Sequence, residues 1–496
     1  MHNSIKQPQY TKWFVMASVG VGLFMSPLDG AIVNYALPRI QEDFQASFAV
    51  IQWIPLAYSL TLVTLMLTIG RLGDMFGKKR IYTAGYFLFT LASALCGFST
   101  SIGMLIAARI FQAMGSVLMM ALGAAILTET FPSNQRGMVL GISGLMVSLG
   151  SISGPSLGGL ILQYLDWHWI FFINLPIGVF GTLLSWRFVP DIRPIGKQRF
   201  DYAGAACLFL SLLSLLLSLT FGQDYGYTHP LILAGFITFV VFLVIFIYLE
   251  NHVREPMMDL SMFRNRLFSV NLITGFLLFV CASGVFLLMP FYLEYVMKVD
   301  AGIGGLLMGI SPLMMGLFAP LSGTLSDRLG TRPLTVVGLL SILCGYVLAS
   351  TTLGETTTIL AYAMCIAPMG MGMGLFQSPN NSAIMGSAPR ERLGVASGLM
   401  SITRTMGNTV GIALMGSFWA SRVFAYTPGG VAAAQQAPIT SQVAALHDTF
   451  LINIFLISLA LLLALWALIK ERQAKLAAAR VKVAPPTVNP QSGGKE

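Results

Sequence analysis

Fourteen long apolar runs follow one another along this chain, and they constrain its fold more than any other feature. A helix needs about 20 mostly apolar residues to cross a membrane, and each run is close to that length. Only 10% of the 496 residues are charged, whereas a soluble domain carries about 25%. The sequence therefore predicts an all-α polytopic membrane protein.

The predicted spans fall into three groups along the chain. The first six cover about 13–35, 48–69, 80–99, 104–128, 138–163 and 168–188. Two more cover about 203–221 and 231–250. The last six cover about 268–291, 303–325, 333–351, 358–380, 394–418 and 448–469.

An even number of spans puts both termini on one side, and the basic residues indicate which side. Only Arg39, Lys298 and Arg422 fall in loops opposite the N-terminus, while Arg109 and Arg404 fall inside spans. The other Lys and Arg residues lie on the side of the N-terminus, which the positive-inside rule makes cytoplasmic. All seven Trp residues lie near span ends, as an aromatic belt at the membrane surface requires.

A short motif occurs twice on the predicted cytoplasmic side. GRLGDMFGKKR, residues 70–80, lies between spans 2 and 3, and GTLSDRLGTR, residues 323–332, lies between spans 10 and 11. Glycine permits a tight turn between helices, and the acid can accept hydrogen bonds at a helix start. The candidate gating residues are Gly70, Gly73, Asp74, Gly77, Lys78, Arg80, Gly323, Asp327, Arg328 and Gly330.

The repeat indicates two similar six-helix bundles with a site at their interface, which is a transporter architecture. Spans 7 and 8 are then an insertion between the two halves. We predict five regions: a cytoplasmic N-terminus (1–12), an N-terminal six-helix bundle (13–188), a linker with two extra spans (189–267), a C-terminal six-helix bundle (268–470) and a disordered cytoplasmic tail (471–496).

Six segments, in order, resemble motifs of the fourteen-span drug:proton antiporter-2 group (EmrB/QacA-like exporters) of the major facilitator superfamily. They are LDGAIVNYALP at 28–38, GRLGDMFGKKR at 70–80, LIAARIFQAMGSV at 105–117, GSISGPSLGG at 150–159, WHWIFFINLP at 167–176 and SGLMSITRTMG at 397–407. The resemblance covers about 13–470. It implies the major facilitator fold and proton-driven export across a bacterial inner (plasma) membrane.

Glu294 departs from this resemblance, because the group more often has Gln at that position. We keep three interpretations of it: a solvated residue at a span end, an extra proton site, and a sign of an altered substrate charge.

Asp29 is the only acid in the first 41 residues, and it lies inside the first apolar run. An unpaired carboxylate is costly to bury, and ionisable residues inside a bilayer are functional candidates. Arg109 in span 4 lies at a similar depth, so we predict that the two side chains pair. They are the candidate proton-coupling residues, because a carboxylate whose charge depends on its neighbours can exchange a proton for a substrate. The alternative is a structural pair that fixes helix packing.

Span 5 carries the candidate antiporter motif, Gly150, Gly154, Pro155, Gly158 and Gly159. Three of these glycines recur every four residues and therefore share one helix face. Small residues allow close helix approach in lipid, and the proline bends the span. We predict that this face packs against a helix of the other bundle and acts in gating; the alternative is ordinary tight packing.

Polar side chains on several spans are candidates to line a substrate cavity: Tyr58, Gln112, Ser116, Gln377, Asn380 and Arg404. Arg404 lies mid-membrane with no acid in its span, and is either a functional partner or an organiser of the C-terminal half. Met-rich apolar walls would suit bulky amphipathic ligands, although Met and Phe also serve for packing. Glu129, at the inner end of span 4, is expected to pair with Arg71 or Arg80.

These features favour a proton-coupled exporter of hydrophobic or cationic compounds that works by alternating access. The alternative is a proton-coupled transporter of a single physiological metabolite or lipid. We expect no enzyme activity and no catalytic residue. The sequence has neither an HExxH motif nor a Walker GxxxxGK[ST] motif, so we expect no metal site, no ATP drive and no cofactor beyond the proton gradient.

The expected partners are a small-molecule substrate, protons and the lipid bilayer. Nucleic acid is not expected, because the net charge of +9 comes from basic residues scattered over short loops. A periplasmic adaptor is a further candidate partner. The segment 419–447, which we expect to be an outer coil, is its candidate docking surface.

Overall fold

The computed structural model is built from α-helices. It describes residues 11–132, 135–191, 201–226, 228–253, 260–387, 393–427 and 434–483. Within these ranges no β-strand occurs, which confirms the predicted all-α fold. Most of the predicted N-terminal region 1–12 and parts of the linker 189–267 lie outside the described residues.

Helices α1 to α8, the first bundle, match the first six predicted spans. They are α1 (Thr11–Phe44), α2 (Phe48–Ile51), α3 (Trp53–Phe76), α4 (Lys78–Gly97), α5 (Ile102–Thr130), α6 (Arg136–Tyr164), α7 (Trp169–Phe172) and α8 (Asn174–Phe188). The two extra spans are α9 (Tyr202–Tyr225) and α10 (Pro230–His252). They pack on each other, and α9 also lies against α3 and α16.

Helices α11 to α17, the second bundle, match the last six predicted spans. They are α11 (Arg266–Phe291), α12 (Ala301–Met308), α13 (Ile310–Leu329), α14 (Thr331–Thr352), α15 (Ile359–Ser387), α16 (Leu393–Ala425) and α17 (Ile439–Val483). In the described part of the chain, 12 helical segments are long and apolar enough to cross a membrane. Helices α4 and α16 match predicted spans but are not among the 12. Basic residues open α4, and many small polar residues interrupt α16.

Both copies of the repeated motif form the turn between two helices. Gly77 follows α3 with φ of 95°, and Gly330 follows α13 with φ of 86°. Glycine adopts this backbone conformation without steric cost, which explains why each copy has glycine there. The backbone N–H of Gly77 donates to the carbonyl of Gly73 at 3.2 Å, and that of Gly330 to the carbonyl of Ser326 at 2.9 Å. The sequence repeat is therefore also a repeat of backbone geometry.

The two bundles meet at the end that carries the carboxyl terminus of α1, which we call the outer end. The Tyr35 hydroxyl donates to the Ala301 carbonyl at 2.5 Å. The Phe48 ring lies between Phe291 and Trp419, with ring centroids 5.1 and 4.9 Å away. These contacts between the bundles close the outer end.

The last helix is longer than predicted. It continues to Val483, so the expectation of disorder is wrong for 471–483, while 484–496 lie outside the described residues. The segment ERQAKLAAAR is made almost entirely of strong helix formers, which accounts for the extension.

The predicted outer coil 419–447 is also largely helical. Helix α16 runs to Ala425, and α17 begins at Ile439. The Trp419 indole donates to the Gln442 carbonyl at 3.3 Å and ties these two helices together.

Candidate functional site

Helices α1 and α5 bring Asp29 and Arg109 into contact, which confirms the predicted pairing. Arg109 Nη1 lies 2.5 Å from Asp29 Oδ2, and the two side chains are 1% and 0% exposed. Burying an ion pair is favourable only when further hydrogen bonds offset the lost hydration. The surroundings of Asp29 therefore decide how this pair can be held.

Amide and hydroxyl side chains from other helices complete the shell of the carboxylate. Gln112 Nε2 and Asn174 Nδ2 each donate to Asp29 Oδ1 at 2.8 Å. Ser93 Oγ accepts from the same two amides at 3.1 and 3.2 Å. Arg109 also donates to Gln112 Oε1 at 2.6 Å. Asp29 thus lies where α1, α4, α5 and α8 converge.

Tyr58 and Ser116 belong to this buried network. The Arg109 guanidinium carbon lies 4.1 Å from the centre of the Tyr58 ring, a cation–π contact. Ser26 Oγ lies 3.1 Å from the Tyr58 hydroxyl and 2.5 Å from Ser116 Oγ. Gln112 and Ser116 are both 0% exposed, so neither side chain lines an accessible cavity in this conformation, and their place in a substrate cavity stays a prediction. Hydrogen bonds to the ion pair hold Gln112 in the interior, and the contact with Ser26 holds Ser116 there.

Asn174 and Ser93 are site residues that the sequence analysis missed. Both are fully buried polar residues within apolar runs. Asn174 lies in the segment WHWIFFINLP, where it is the only amide. A lone amide in an apolar segment indicates a buried polar contact, because a buried amide requires hydrogen-bond partners.

Three candidate cavity residues lie in the second bundle. Asn380 is 4% exposed and donates to the Asn271 carbonyl at 3.3 Å. Gln377 and Arg404 are partly buried, and no hydrogen bond or ion pair holds either side chain within the described ranges.

A small apolar cavity lies between α11, α12, α14 and α15. Its volume is about 50 Å³, and four methionines line it with mostly apolar neighbours: Met289, Met308, Met369 and Met373. Methionine is flexible and polarisable, so such walls adapt to ligands of different shape. The cavity has the Met-rich lining predicted for the substrate pocket, but it is too small for a bulky ligand in this conformation.

In the first copy of the repeated motif, Lys78 provides the ion pair. Its Nζ lies 2.7 Å from Glu129 Oε1, so the expected pairing of Glu129 with Arg80 is wrong, and Arg80 is exposed. Lys78 is the first residue after the Gly77 turn, which directs it towards the end of α5. The side chain of Arg71 lies outside the described part.

The structure describes the surroundings of some of the other motif residues but not of all. A Cβ on Gly73 would collide with the Leu122 side chain, so this glycine permits close approach of α3 and α5. Gly323 lies beside Ser378 of α15, and Arg328 is exposed. The surroundings of Gly70, Asp74 and Asp327 lie outside what the structure describes, and their gating role stays a prediction.

The glycine stripe of α6 packs against its own bundle. A Cβ on Gly150 would meet the Phe24 carbonyl of α1, and Cβ atoms on Gly154 and Gly158 would lie 3.0 and 2.9 Å from Ile32 atoms of the same helix. The expectation that this stripe contacts the other bundle is therefore wrong. The spacing fixes a common face but not the helix that the face meets.

The neighbouring face of α6 does contact the second bundle. A Cβ on Gly159 would lie 3.0 Å from the Cα of Gly305 in α12, and a Cβ on Gly305 would collide with the Pro155 carbonyl. The backbones of α6 and α12 touch here because both positions lack a side chain.

Glu294 takes part in a contact between the bundles at the outer end. It lies in a π-helical turn, Tyr292–Val296, that continues α11. Its Oε1 is 2.7 Å from Arg39 Nε, and the Tyr295 hydroxyl donates to the Pro38 carbonyl at 3.4 Å. The Glu294 side chain is 22% exposed, so it is a paired residue of the interface rather than a freely solvated one.

Comparison with known proteins agrees with this architecture. Residues 19–412 match the Major Facilitator Superfamily. Riboflavin transporter RibZ of Clostridioides difficile (strain 630) is 35% identical over 416 residues, which cover 82% of this chain and 88% of RibZ. Multidrug transporter protein MdtP of Bacillus subtilis (strain 168) is 31% identical over 423 residues, which cover 85% of this chain and 78% of MdtP.

A solved structure shares the fold. The crystal structure of a POT family transporter in complex with 5-aminolevulinic acid aligns with a TM-score of 0.67 at 15% identity, covering 94% of this chain and 97% of that one. The likeness shows the fold, and the family match and the two relatives make the protein a multi-pass membrane transporter rather than an enzyme. The chain belongs to the Major Facilitator Superfamily.

Proposed function

We propose that this transporter is a member of the fourteen-span drug:proton antiporter-2 group and exports hydrophobic or cationic compounds in exchange for protons. The observation that carries the proposal is the buried Asp29–Arg109 pair at the meeting point of four helices. It is the one fully buried ion pair among the described residues.

A proton on Asp29 would reorganise this meeting point. An ionised carboxylate only accepts hydrogen bonds, whereas a protonated one also donates. Protonation would therefore weaken the bonds from Arg109, Gln112 and Asn174 together. Because Tyr58 covers the Arg109 guanidinium, release of the guanidinium would also affect α3. The proton is in this way coupled to the relative position of several spans.

Alternating access requires that the outer end open when the inner end closes. The contacts of Tyr35 with Ala301 and of Arg39 with Glu294 would break in that step. At the close contact of Gly159 with Gly305, α6 and α12 would either pivot about each other or separate. These residues are the proposed outer gate.

The relatives favour two substrate classes. MdtP carries the name of a multidrug transporter, which supports export of varied hydrophobic compounds. RibZ is named a riboflavin transporter and is at least as similar, which supports the second candidate, transport of one physiological metabolite. Transport of many unrelated compounds would indicate the multidrug exporter, and transport of one compound would indicate the metabolite transporter.

The proposed location is a bacterial inner membrane with both termini in the cytoplasm, which rests on the distribution of Lys and Arg. The connection between α16 and α17, from Ala425 to Ile439, lies on the predicted outer side. It is the proposed docking segment for an adaptor partner.

The first test measures proton flux in inside-out vesicles with an acid interior. Adding ethidium, other dyes or riboflavin outside should raise the luminal pH of wild-type vesicles, because each imported molecule releases protons. Asp29→Asn should abolish this response while the protein still inserts in the membrane. Asp166→Asn, which changes an exposed acid, is the matched control and should respond like wild type.

Normal proton release by Asp29→Asn would remove Asp29 from the coupling mechanism and leave it a structural partner of Arg109. A response to riboflavin alone would favour the metabolite transporter over the multidrug exporter.

A further inference from the structure

Arg404 differs from the other buried arginines in having no partner. Arg109 pairs with Asp29, and Arg332 lies 3.1 Å from Glu471 Oε2. Arg404 is partly buried and has neither a hydrogen bond nor an ion pair within the described residues. An arginine stays charged in proteins, and a charge at this depth is costly unless an anion or water compensates it.

The packing of α16 shows which way Arg404 points. Met406 packs against the apolar cluster of Val63, Leu208, Leu212 and Phe246, which α3, α9 and α10 form. Two residues correspond to about 200° of rotation on an α-helix, so Arg404 lies nearly opposite the α9 face. Gly411, seven residues on and close to the Arg404 direction, would place a Cβ 2.9 Å from Val280 Cα of α11. Arg404 therefore faces the protein interior beside α11.

Helices α11 and α15, together with α16 itself, supply donors and no acid. Helices α11, α15 and α16 contain neither Asp nor Glu. Asn408 is one turn from Arg404 on the same face, and its Oδ1 accepts from Ser283 at 2.7 Å, which leaves its amide N–H groups available. The Gln377 amide is likewise without a partner in the described ranges.

This chemistry complements an anion attached to an apolar body. The guanidinium of Arg404 can bind a carboxylate, sulfonate or phosphate with two parallel hydrogen bonds. Phe279 of α11 lies against Gly407, less than one turn from Arg404, and supplies apolar surface for such a body. A permanent cation would meet like charge and no free carboxylate on these helices.

We propose that Arg404 binds the anionic group of the transported compound, so that amphipathic acids are preferred to lipophilic cations. The inference rests on the proposed export function, and among its hydrophobic compounds it favours those with an acidic group over the cations. It makes Arg404 a substrate-binding residue rather than an organiser of the second bundle.

Two xanthene dyes of similar shape and opposite charge test the proposal. Fluorescein carries a carboxylate, and rhodamine 123 is a cation. Uptake of each is measured in proteoliposomes with an acid interior, against protein-free liposomes. Wild type should take up fluorescein faster than rhodamine 123. Arg404→Gln should slow fluorescein uptake about tenfold, Arg404→Lys should retain much of it because the charge is kept, and Arg187→Gln, an exposed control, should match wild type.

Binding measured by fluorescence anisotropy on purified protein separates recognition from folding. Arg404→Gln should raise the Kd for fluorescein about tenfold and leave the melting temperature near that of wild type. A variant that loses both dyes equally and melts earlier would make Arg404 a structural residue and overturn the proposal. Rhodamine uptake without fluorescein uptake by wild type would overturn it while leaving the export function intact. Failure of wild type to move either dye, or any compound with protons, would overturn the export function itself.

Discussion

At the residue scale, Asp29 depends on donors that come from separate helices. Asn174 supplies one of them from the first turn of α8, and Gln112 supplies another from α5. Each donor hydrogen-bonds to the carboxylate and links one more span to it. Removing a single donor therefore tests the network without removing the charge.

We expect Asn174→Ala to lower both stability and transport. The change takes one donor from Asp29 Oδ1 and one from Ser93 Oγ. Both acceptors keep their hydrogen bond from Gln112, but a hydrogen bond to a charged group contributes about 1.5–3 kcal/mol, so the melting temperature in detergent should fall. Substrate-driven proton flux should weaken in the same preparation.

Asn251→Ala is the matched control for this experiment. Asn251 is exposed, and its amide donates to the Ile247 carbonyl of its own helix. Its variant should melt and transport like wild type. If Asn174→Ala also behaves like wild type in both measurements, the Asp29 network does not depend on this amide.

The ion pair could be predicted from the sequence, because a lone acid in an apolar run demands a cation and depth along the spans limits the choice to Arg109. Asn174 and Ser93 could not be predicted as its partners. Their contact depends on the rotation of α4 and α8 about their own axes, which apolar runs without a polar face do not specify.

At the element scale, α6 uses two adjacent faces for two tasks. Gly150, Gly154 and Gly158 bring it against α1, while Gly159 brings it against α12. A substitution on the second face should therefore disturb the contact between bundles and leave the first bundle intact. The four-residue spacing of Gly150, Gly154 and Gly158 predicts that they share one face of α6. It does not predict that α1 is the helix they contact, because small residues fit against any backbone.

We expect Gly159→Leu to open the outer end and abolish transport. A side chain there would force α6 away from Gly305. The reporter is Gln52→Cys, which is buried at the contact of α3 with Gly416, in a background where the exposed Cys344 is serine. Labelling by a membrane-impermeant maleimide should be faster in the Gly159→Leu protein than without it.

Gly144→Leu is the control on the same helix. A Cβ at Gly144 would meet no atom within 4 Å, so the variant should keep transport and slow labelling. Equal labelling rates for the two leucine variants would show that Gly159 does not hold the outer end closed.

At the scale of the whole molecule, the order of spans and the repeated turn could be predicted, and the conformation could not. Span lengths and glycine positions follow from local sequence. Closure of the outer end depends instead on contacts such as Arg39 with Glu294, between residues far apart in the chain. Their energies are small, so the same sequence supports both an open and a closed outer end.

We expect the Arg39–Glu294 pair to bias this equilibrium modestly. The side chains are 47% and 22% exposed, and such pairs contribute at most about 1 kcal/mol, or roughly a fivefold population change. Arg39→Gln and Glu294→Gln should each speed labelling at the Gln52→Cys reporter by up to that factor. The double variant should be no faster than either single one.

Lys298→Gln is the control for surface charge, since Lys298 is an exposed base of the same outer region. It should not change the labelling rate. Additive effects of the Arg39 and Glu294 variants would mean that the two side chains act independently and that their contact does not stabilise closure.

The burial of Arg109 beside Asp29 has an electrical consequence. With Asp29 ionised the pair is neutral, but a proton on Asp29 would leave one uncompensated positive charge inside the membrane. Each elementary charge moved across the bilayer changes energy by about 2.3 kcal/mol per 100 mV. A proton-loaded transporter would then be sensitive to voltage as well as to pH, and a cell could drive it with membrane potential alone when the two sides have equal proton concentrations.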